Sequence, residues 1–187
     1  KLSLAINALL ALAFLIATYA SVLSARSALT DTLKNNLSTQ AEREAELIRS
    51  YLAWTRSFAI DLAAVSETNE FTQQSILATI QRSLERNGQI FGSTIAYEPG
   101  QFQADLHYWS PYYSRSPDGS LRFTQLGNPD YNYFQWEWYT LPKARNEPVL
   151  SPPYFDEGGG EIWMVTWSAP FYDESDNFMG VATADIA

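Results

Sequence analysis

The sequence predicts an α+β fold in which a long N-terminal helix, continuing from a membrane-spanning helix, packs against an antiparallel sheet. Three observations predict it. Residues 2–25 carry no charged side chain, residues 27–66 contain neither proline nor glycine, and from residue 93 onward strand-like runs alternate with turns. Strands joined by short turns pair antiparallel, because parallel neighbours need longer crossover connections.

The first element is predicted to be a membrane-spanning helix over residues 1–25. A helix over the uncharged residues would reach roughly 36 Å, and the hydrocarbon core of a bilayer is about 30 Å thick. Lys1 before the apolar run and polar sequence after it favour an orientation with the N-terminus inside the cell. A cleaved signal peptide is the alternative, although its apolar core usually spans only about 7–15 residues.

The helical pattern continues without a break, and residues 26–70 are predicted to form a long extracytoplasmic helix. Leu29, Leu33 and Leu37 begin an apolar stripe that recurs every three or four positions, which is the helical period. Glu42 and Glu46 lie off this stripe, on a solvated face. Such a helix either packs on its own domain or also pairs with a second copy of itself, and we predict a homodimer.

Residues 71–187 are predicted to form a globular module of helices and strands. A second helix over residues 74–86 ends at Asn87-Gly88, a common C-terminal signal. A short helical insertion over residues 133–145 separates the third strand from the fourth. Turn residues delimit five predicted strands, at 93–97, 106–113, 121–126, 162–171 and 178–186.

The composition excludes several classes of function. The chain of 187 residues has a net charge of −9, no cysteine and one histidine, His107. Phosphate contacts need clustered Lys and Arg, so we expect no nucleic-acid partner. Thiolate and histidine-rich metal sites are excluded. We predict no cofactor and no metal, because the acidic, glycine-rich residues 156–161 have the composition of a turn.

Aromatic residues are unusually dense between residues 102 and 139. The chain holds 6 Trp, 11 Tyr and 10 Phe, and a core of this size needs only some of these rings. Tyr and Trp also carry polar tips that need partners when they are buried. We therefore predict that the cluster, which includes Tyr112, encloses a small-molecule pocket, with packing as an ordinary core as the alternative.

Four segments resemble the membrane-distal module of double Cache (dCache) sensor domains. They are residues 130–139 (DYNYFQWEWY), 151–156 (SPPYFD), 168–173 (SAPFYD) and 180–186 (GVATADI). The resemblance implies a PAS-like antiparallel sheet and an extracytoplasmic sensing function, with a second module expected after Ala187. Residues 132–139 and 154–160 are most similar to sensors attached to bacterial PPM-type serine phosphatases, and histidine kinases, diguanylate cyclases and chemoreceptors share the architecture.

The resemblance also implies ligand-binding residues. The positions that match the amino-acid-binding branch of the family are Tyr131, Trp138, Tyr139, Tyr154, Asp156 and Asp185. The family's arginine, which would clamp a carboxylate, is replaced by Trp136, and an indole cannot make that clamp. We therefore expect a cationic or neutral ligand, such as an amine, with Trp136 and Trp138 available for cation–π contact.

Taken with the apolar helix, the resemblance predicts the sensing domain of a receptor in the bacterial inner membrane, with its sensor module in the periplasm. We predict no enzymatic activity in this segment, although an output domain beyond Ala187 can be an enzyme. Two alternatives remain open: a structural dimerisation or protein-docking module, and a membrane-anchored carbohydrate-binding domain.

Overall fold

A computed structural model describes residues 2–68 and 71–187 of the chain. The chain divides into two compact units, residues 1–50 and residues 51–187. The described residues of the first unit are all helical, and the second unit contains every strand described below.

Helix α1 runs from Leu2 to Thr68 without interruption. Among the described residues it is the one helix long and apolar enough to cross a membrane, with a mean hydropathy of 2.1 over its most apolar window. The absence of Gly and Pro from residues 27–66 explains its continuity, since these residues are the main helix breakers. The helix therefore passes through the predicted boundary at residue 25, as the unbroken pattern indicated.

The last turns of α1 pack in the second unit, where Ala59, Leu62 and Ala63 are buried. Helix α2 (Gln73–Arg86) follows, and it buries Ile76, Ile80 and Leu84, which are spaced four residues apart and share one face. Its first turn is held by a capping box between Thr72 and Ser75. These two helices cover one face of the sheet.

The sheet is antiparallel throughout. The strands are β1 (Gly92–Tyr97), β2 (Ser110–Arg115), β3 (Leu121–Leu126), β4 (Val149–Leu150), β5 (Tyr154–Phe155), β6 (Trp163–Tyr172) and β7 (Phe178–Ile186). Their order in the sheet is β3-β2-β1-β7-β6-β4, and β5 pairs with the beginning of β6. Short helical elements, a 3₁₀ turn (Tyr133–Gln135) and α3 (Glu137–Arg145), form the insertion between β3 and β4.

One predicted strand starts later than expected. The strand predicted at 106–113 begins at Ser110, because Leu106 uses its backbone in a turn with Gly100 and Gln103. Trp109 makes only a single bridge to Tyr97. The two-residue strands β4 and β5 were not predicted, since a periodic pattern cannot emerge over so short a run.

Alternation along the strands gives the sheet two different faces. Ile95, Tyr97 and Ala182 face the helices and join the aliphatic core around α1 and α2. Ala96 and Val181, the alternate residues, face a second and largely aromatic core built with Tyr133, Trp138 and Tyr139 of the insertion. The residues predicted to bind ligand lie on this second face.

Candidate ligand site

Six of the eight predicted site residues line a single small cavity between the sheet and the insertion. They are Tyr112, Tyr131, Trp138, Tyr154, Asp156 and Asp185, and they share the lining with Thr94, Leu126 and Thr183. The cavity has a volume of about 10 Å³. That is room for about one water molecule, so the site is closed in this structure.

The sheet supplies the floor of the cavity. Thr183 and Asp185 are two residues apart on β7 and therefore point to the same face, toward Thr94 of β1 and Tyr112 of β2. Gly92 pairs with Asp185 across the strands, and a methyl group at position 92 would overlap the Tyr112 ring. The lack of a side chain at Gly92 thus lets the tyrosine lie over β1.

Asp156 follows β5 and is 2% exposed. Its Oδ1 accepts a hydrogen bond from the Tyr131 hydroxyl at 2.6 Å, and its Oδ2 accepts one from the Gly160 backbone N–H at 2.6 Å. Burial raises the pKa of this carboxyl, and the two donors oppose the increase. A methyl group at Gly159 would collide with the same carboxylate, so this glycine allows the loop to fold around Asp156.

Asp185 is 4% exposed, and its carboxyl group accepts fewer hydrogen bonds than that of Asp156. The Thr166 hydroxyl donates to its Oδ1 at 2.9 Å, and the Tyr154 hydroxyl is hydrogen-bonded to that of Thr166 at 2.8 Å. Burial, followed by the negative charge of Asp156, raises the pKa of Asp185 to about 7.

Two polar atoms of the lining lack a normal hydrogen bond. The Tyr112 hydroxyl and the Trp138 Nε1 are buried without a partner of good geometry among the described residues. The Tyr112 hydroxyl lies close enough to Asp185 to lower the pKa of that carboxyl. No Lys, Arg or His belongs to the described lining, so the cavity holds two carboxyl groups and no basic side chain.

Trp136 lies outside this cavity, beside a neighbouring cleft of about 360 Å³. Its indole stacks on Tyr131, with ring centroids 5.3 Å apart, and contacts Tyr154 at 5.5 Å. The cleft and the cavity share Trp138 and Tyr154 as a common wall. Movement of these rings would connect the two spaces.

Tyr139 points away from both acids. Its hydroxyl donates to Glu98 Oε1 at 2.7 Å, and Lys143 Nζ lies 2.7 Å from the same oxygen. Tyr139 lines a separate cleft with Phe134 and Lys143. The structure therefore leaves Tyr139 outside the cavity, although its ring packs edge-on against Trp138.

Three threonines of the site were not predicted. Thr183 precedes Asp185 by two residues on the same strand, so alternation alone would have placed it in the site. Thr94 and Thr166 could be placed in the site only once the strand pairing was known, because the register of β1 and β6 brings them next to β7.

The fold and the closed, acidic site together define a PAS-like sensor module following a long helix. Residues 76–187 match the family model described as "Methyl-accepting chemotaxis protein-like, first PDC sensor domain". The chain belongs to this family, and the predicted fold is confirmed, as is the resemblance to Cache-type sensors.

Several solved sensor domains are similar to this chain. The extracellular domain of the proposed histidine kinase soHK1S-Z6 is 26% identical, with a TM-score of 0.63, and the match covers 75% of this chain and 54% of that chain. The ligand-binding domain of the Campylobacter jejuni chemoreceptor Tlp3, solved with 4-methylisoleucine, is 14% identical with a TM-score of 0.55, and the match covers 74% and 52%.

A third is the ligand-binding domain of the Pseudomonas aeruginosa PAO1 amino acid chemoreceptor PctC, solved with GABA. It is 17% identical with a TM-score of 0.52, and the match covers 74% of this chain and 56% of that chain. This chain thus spans about half the length of the solved domains that it resembles. A comparison with curated proteins finds no match.

Proposed function

We propose that this chain is the extracytoplasmic sensing part of a bacterial transmembrane receptor, and that its site binds a small cationic ligand such as an amine. One observation carries the proposal: Asp156 and Asp185 are buried in one cavity whose described lining holds no basic side chain. A buried carboxylate without a counter-ion is costly, and a cationic ligand would supply that counter-ion.

The other side chains of the site fit the same ligand. Trp136 and Trp138 offer aromatic faces that attract a cation. Trp136 takes the place of the arginine expected in amino-acid-binding relatives, so a ligand carboxylate would find no guanidinium. The ligands in the Tlp3 and PctC structures, 4-methylisoleucine and GABA, are amino acids. This chain keeps only the acidic half of a site for such ligands.

Binding requires the site to open. A cavity of about 10 Å³ cannot hold an amine, whereas the cleft beside Trp136 has a volume of about 360 Å³. We expect the ligand to enter from this cleft by displacing Trp138 and Tyr154, the rings that separate the two spaces. A signal then arises if the ligand binds the opened and the closed forms with different affinity.

Strand β6 offers a route from the site to α1. Thr166 contacts Asp185, and the next residue, Trp167, points to the opposite face of the sheet. There the Arg56 guanidinium lies 5.7 Å from the centre of the Trp167 ring. Glu67 of α1 accepts a hydrogen bond from the backbone of Tyr172, at the end of the same strand. Displacement of β6 by ligand would therefore reach α1.

We further propose the arrangement of the whole receptor. Residues 1–25 cross the inner membrane, residues 26–70 form an extracytoplasmic helix, and residues 71–187 form the periplasmic module. The exposed stripe at Leu29, Leu33 and Leu37 would pair with a second copy of the helix in a homodimer. A second module and an output domain, such as a PPM-type serine phosphatase or a histidine kinase, would belong to the same receptor.

The test is a binding screen on the full chain in detergent micelles, with primary amines, α-amino acids, organic acids and sugars. Amines should raise the melting temperature and give heats of binding in calorimetry, because a ligand that binds only the folded state stabilises it. Asp156→Asn should abolish the effect, and Asp105→Asn, which changes an exposed acid, should not. Binding of ordinary α-amino acids without binding of amines would contradict the proposal.

A protein-docking function has one observation in its favour. Trp163 is 66% exposed and Phe155 is 41% exposed, and the two rings contact each other at the edge of β5 and β6. Exposed aromatic pairs of this kind are common in protein interfaces. Capture of a partner that is lost on Trp163→Ser, in a chain that shows no binding of amines, would favour this second function.

A further inference from the structure

We infer that in the ligand-free site Asp185 holds a proton while Asp156 is charged, and that a cationic ligand displaces this proton when it binds. The receptor's affinity would then depend on the pH outside the cell. This inference rests on the proposed function, because it concerns the same site and the same class of ligand.

Among the described residues, no positively charged side chain lines the cavity around Asp185. The groups that face the acid pair from β2, the loop before the insertion, and β5 are the phenols Tyr112, Tyr131 and Tyr154. The raised pKa values of these phenols keep them neutral. The α3 side chain there is Trp138, and Thr166 of β6 and Thr183 of β7 are uncharged. Glu161 adds a negative charge near Asp156.

The distribution of donors places the proton on Asp185. Asp156 receives two short hydrogen bonds, from the Tyr131 hydroxyl and the Gly160 N–H, and these stabilise its charged form. Asp185 receives one bond of good geometry, from Thr166.

The Tyr112 hydroxyl lies against Asp185 without a hydrogen bond of good geometry among the described residues. Its proximity lowers the pKa of Asp185, but burial and the charge of Asp156 raise that pKa by more. A protonated Asp185 can also donate a hydrogen bond to the Tyr112 oxygen. Burial raises the pKa of Asp185 to about 7, so a proton would be held or released in the pH range of ordinary surroundings.

The exchange balances in atoms and in charge. Without ligand, the acid pair carries one proton and a net charge of −1. When an ammonium group enters, Asp185 releases its proton to solvent, the ammonium keeps all of its own protons, and the two carboxylates plus one cation again sum to −1. The exchange leaves the net charge of this buried site unchanged, which avoids the large cost of adding a charge to a dry interior.

The exchange sets the size of the pH effect. A carboxyl with a pKa of about 7 is about 90% protonated at pH 6 and about 10% protonated at pH 8. Since the ligand must displace that proton, its dissociation constant should be about tenfold larger at pH 6 than at pH 8. Primary alkylamines stay charged over this range, so the change would come from the protein.

The experiment uses the full chain in detergent micelles and the tightest-binding member of a panel of primary monoamines from methylamine to butylamine. Calorimetry at pH 6.5, in two buffers of different ionisation enthalpy, should detect about 0.8 proton released per amine bound. Asp185→Asn should release none and should lose the tenfold dependence on pH. Asp105→Asn, a matched change at an exposed acid, should leave both unchanged.

A ligand-free measurement separates the possible outcomes. Infrared spectroscopy should show a protonated carboxyl band that disappears with a midpoint near pH 7 and is absent from Asp185→Asn. Amine binding without proton release, or without this band, would overturn the inference and leave the proposed function standing. Failure of every amine to bind would overturn both.

Discussion

Replacing Asp185 with Asn should make the folded module more stable at neutral pH. Asn has the same shape, and it can accept the hydrogen bond from Thr166 and donate to the unpartnered Tyr112 oxygen. The variant therefore removes a buried negative charge and leaves no new polar group without a partner.

The size of the change in the free energy of unfolding follows from the pKa of Asp185. Burial and the charge of Asp156 raise the pKa of Asp185 from 3.8 to about 7 in the folded state. The folded protein therefore holds its proton up to a higher pH than the unfolded chain does. Its free energy of unfolding should fall as the pH rises from about 4 to about 7. With about 1.4 kcal/mol per pKa unit, the loss should be on the order of 4 kcal/mol.

The assay is urea unfolding followed by tryptophan fluorescence at a series of pH values. All tryptophans lie between Trp54 and Trp167, so the signal reports on residues 51–187 and not on the apolar part of α1. Between pH 4 and 7 the wild-type protein should lose stability while Asp185→Asn loses much less. An equal loss in both proteins would refute the assignment of the raised pKa to Asp185.

Three further substitutions probe the packing around the site, each measured by urea unfolding. Asp156→Asn should cost about 2 kcal/mol at neutral pH and less at low pH, because the carboxylate accepts from both the Tyr131 hydroxyl and the Gly160 N–H, whereas the amide keeps one accepting oxygen. Gly159→Ala should cost about 1–3 kcal/mol, because its methyl group overlaps the Asp156 carboxylate, whereas Gly88→Ala meets open space and should be nearly neutral. Arg115→Met should cost about 2 kcal/mol, since the guanidinium binds backbone carbonyls at the end of α2. Equal stabilities for the two glycine variants, or an unchanged Arg115→Met protein, would contradict these contacts.

Local patterns in the sequence predict most of the fold. β3 and β7 have the predicted bounds because turn residues on both sides limit them. The start of β2 was misplaced because Leu106, the first residue of the predicted strand, is held in a turn by backbone bonds to Gly100 and Gln103, which no periodicity reveals.

The site is only partly predictable for a related reason. Alternation on β7 identifies Asp185 and Thr183 as neighbours, but the distance between Asp185 and Asp156 depends on how the loop closes around the glycines. Trp138 and Tyr139 are adjacent in sequence, yet a helix turns consecutive side chains by about 100°, so only Trp138 reaches the cavity. Closure of the cavity is a property of packing, and no pattern of residue types reports it.

In the proposed entry path Tyr154 must move, and its contact with the Trp136 ring would help to set how often the site is accessible. A ligand that binds only an open minority form has its apparent affinity reduced by the fraction of molecules in that form. If about 1% of molecules are open, the measured dissociation constant is about a hundred times larger than the intrinsic one. Substitutions that weaken this contact would therefore make the proposed receptor more sensitive, so evolution could adjust its threshold here while keeping both acids in place.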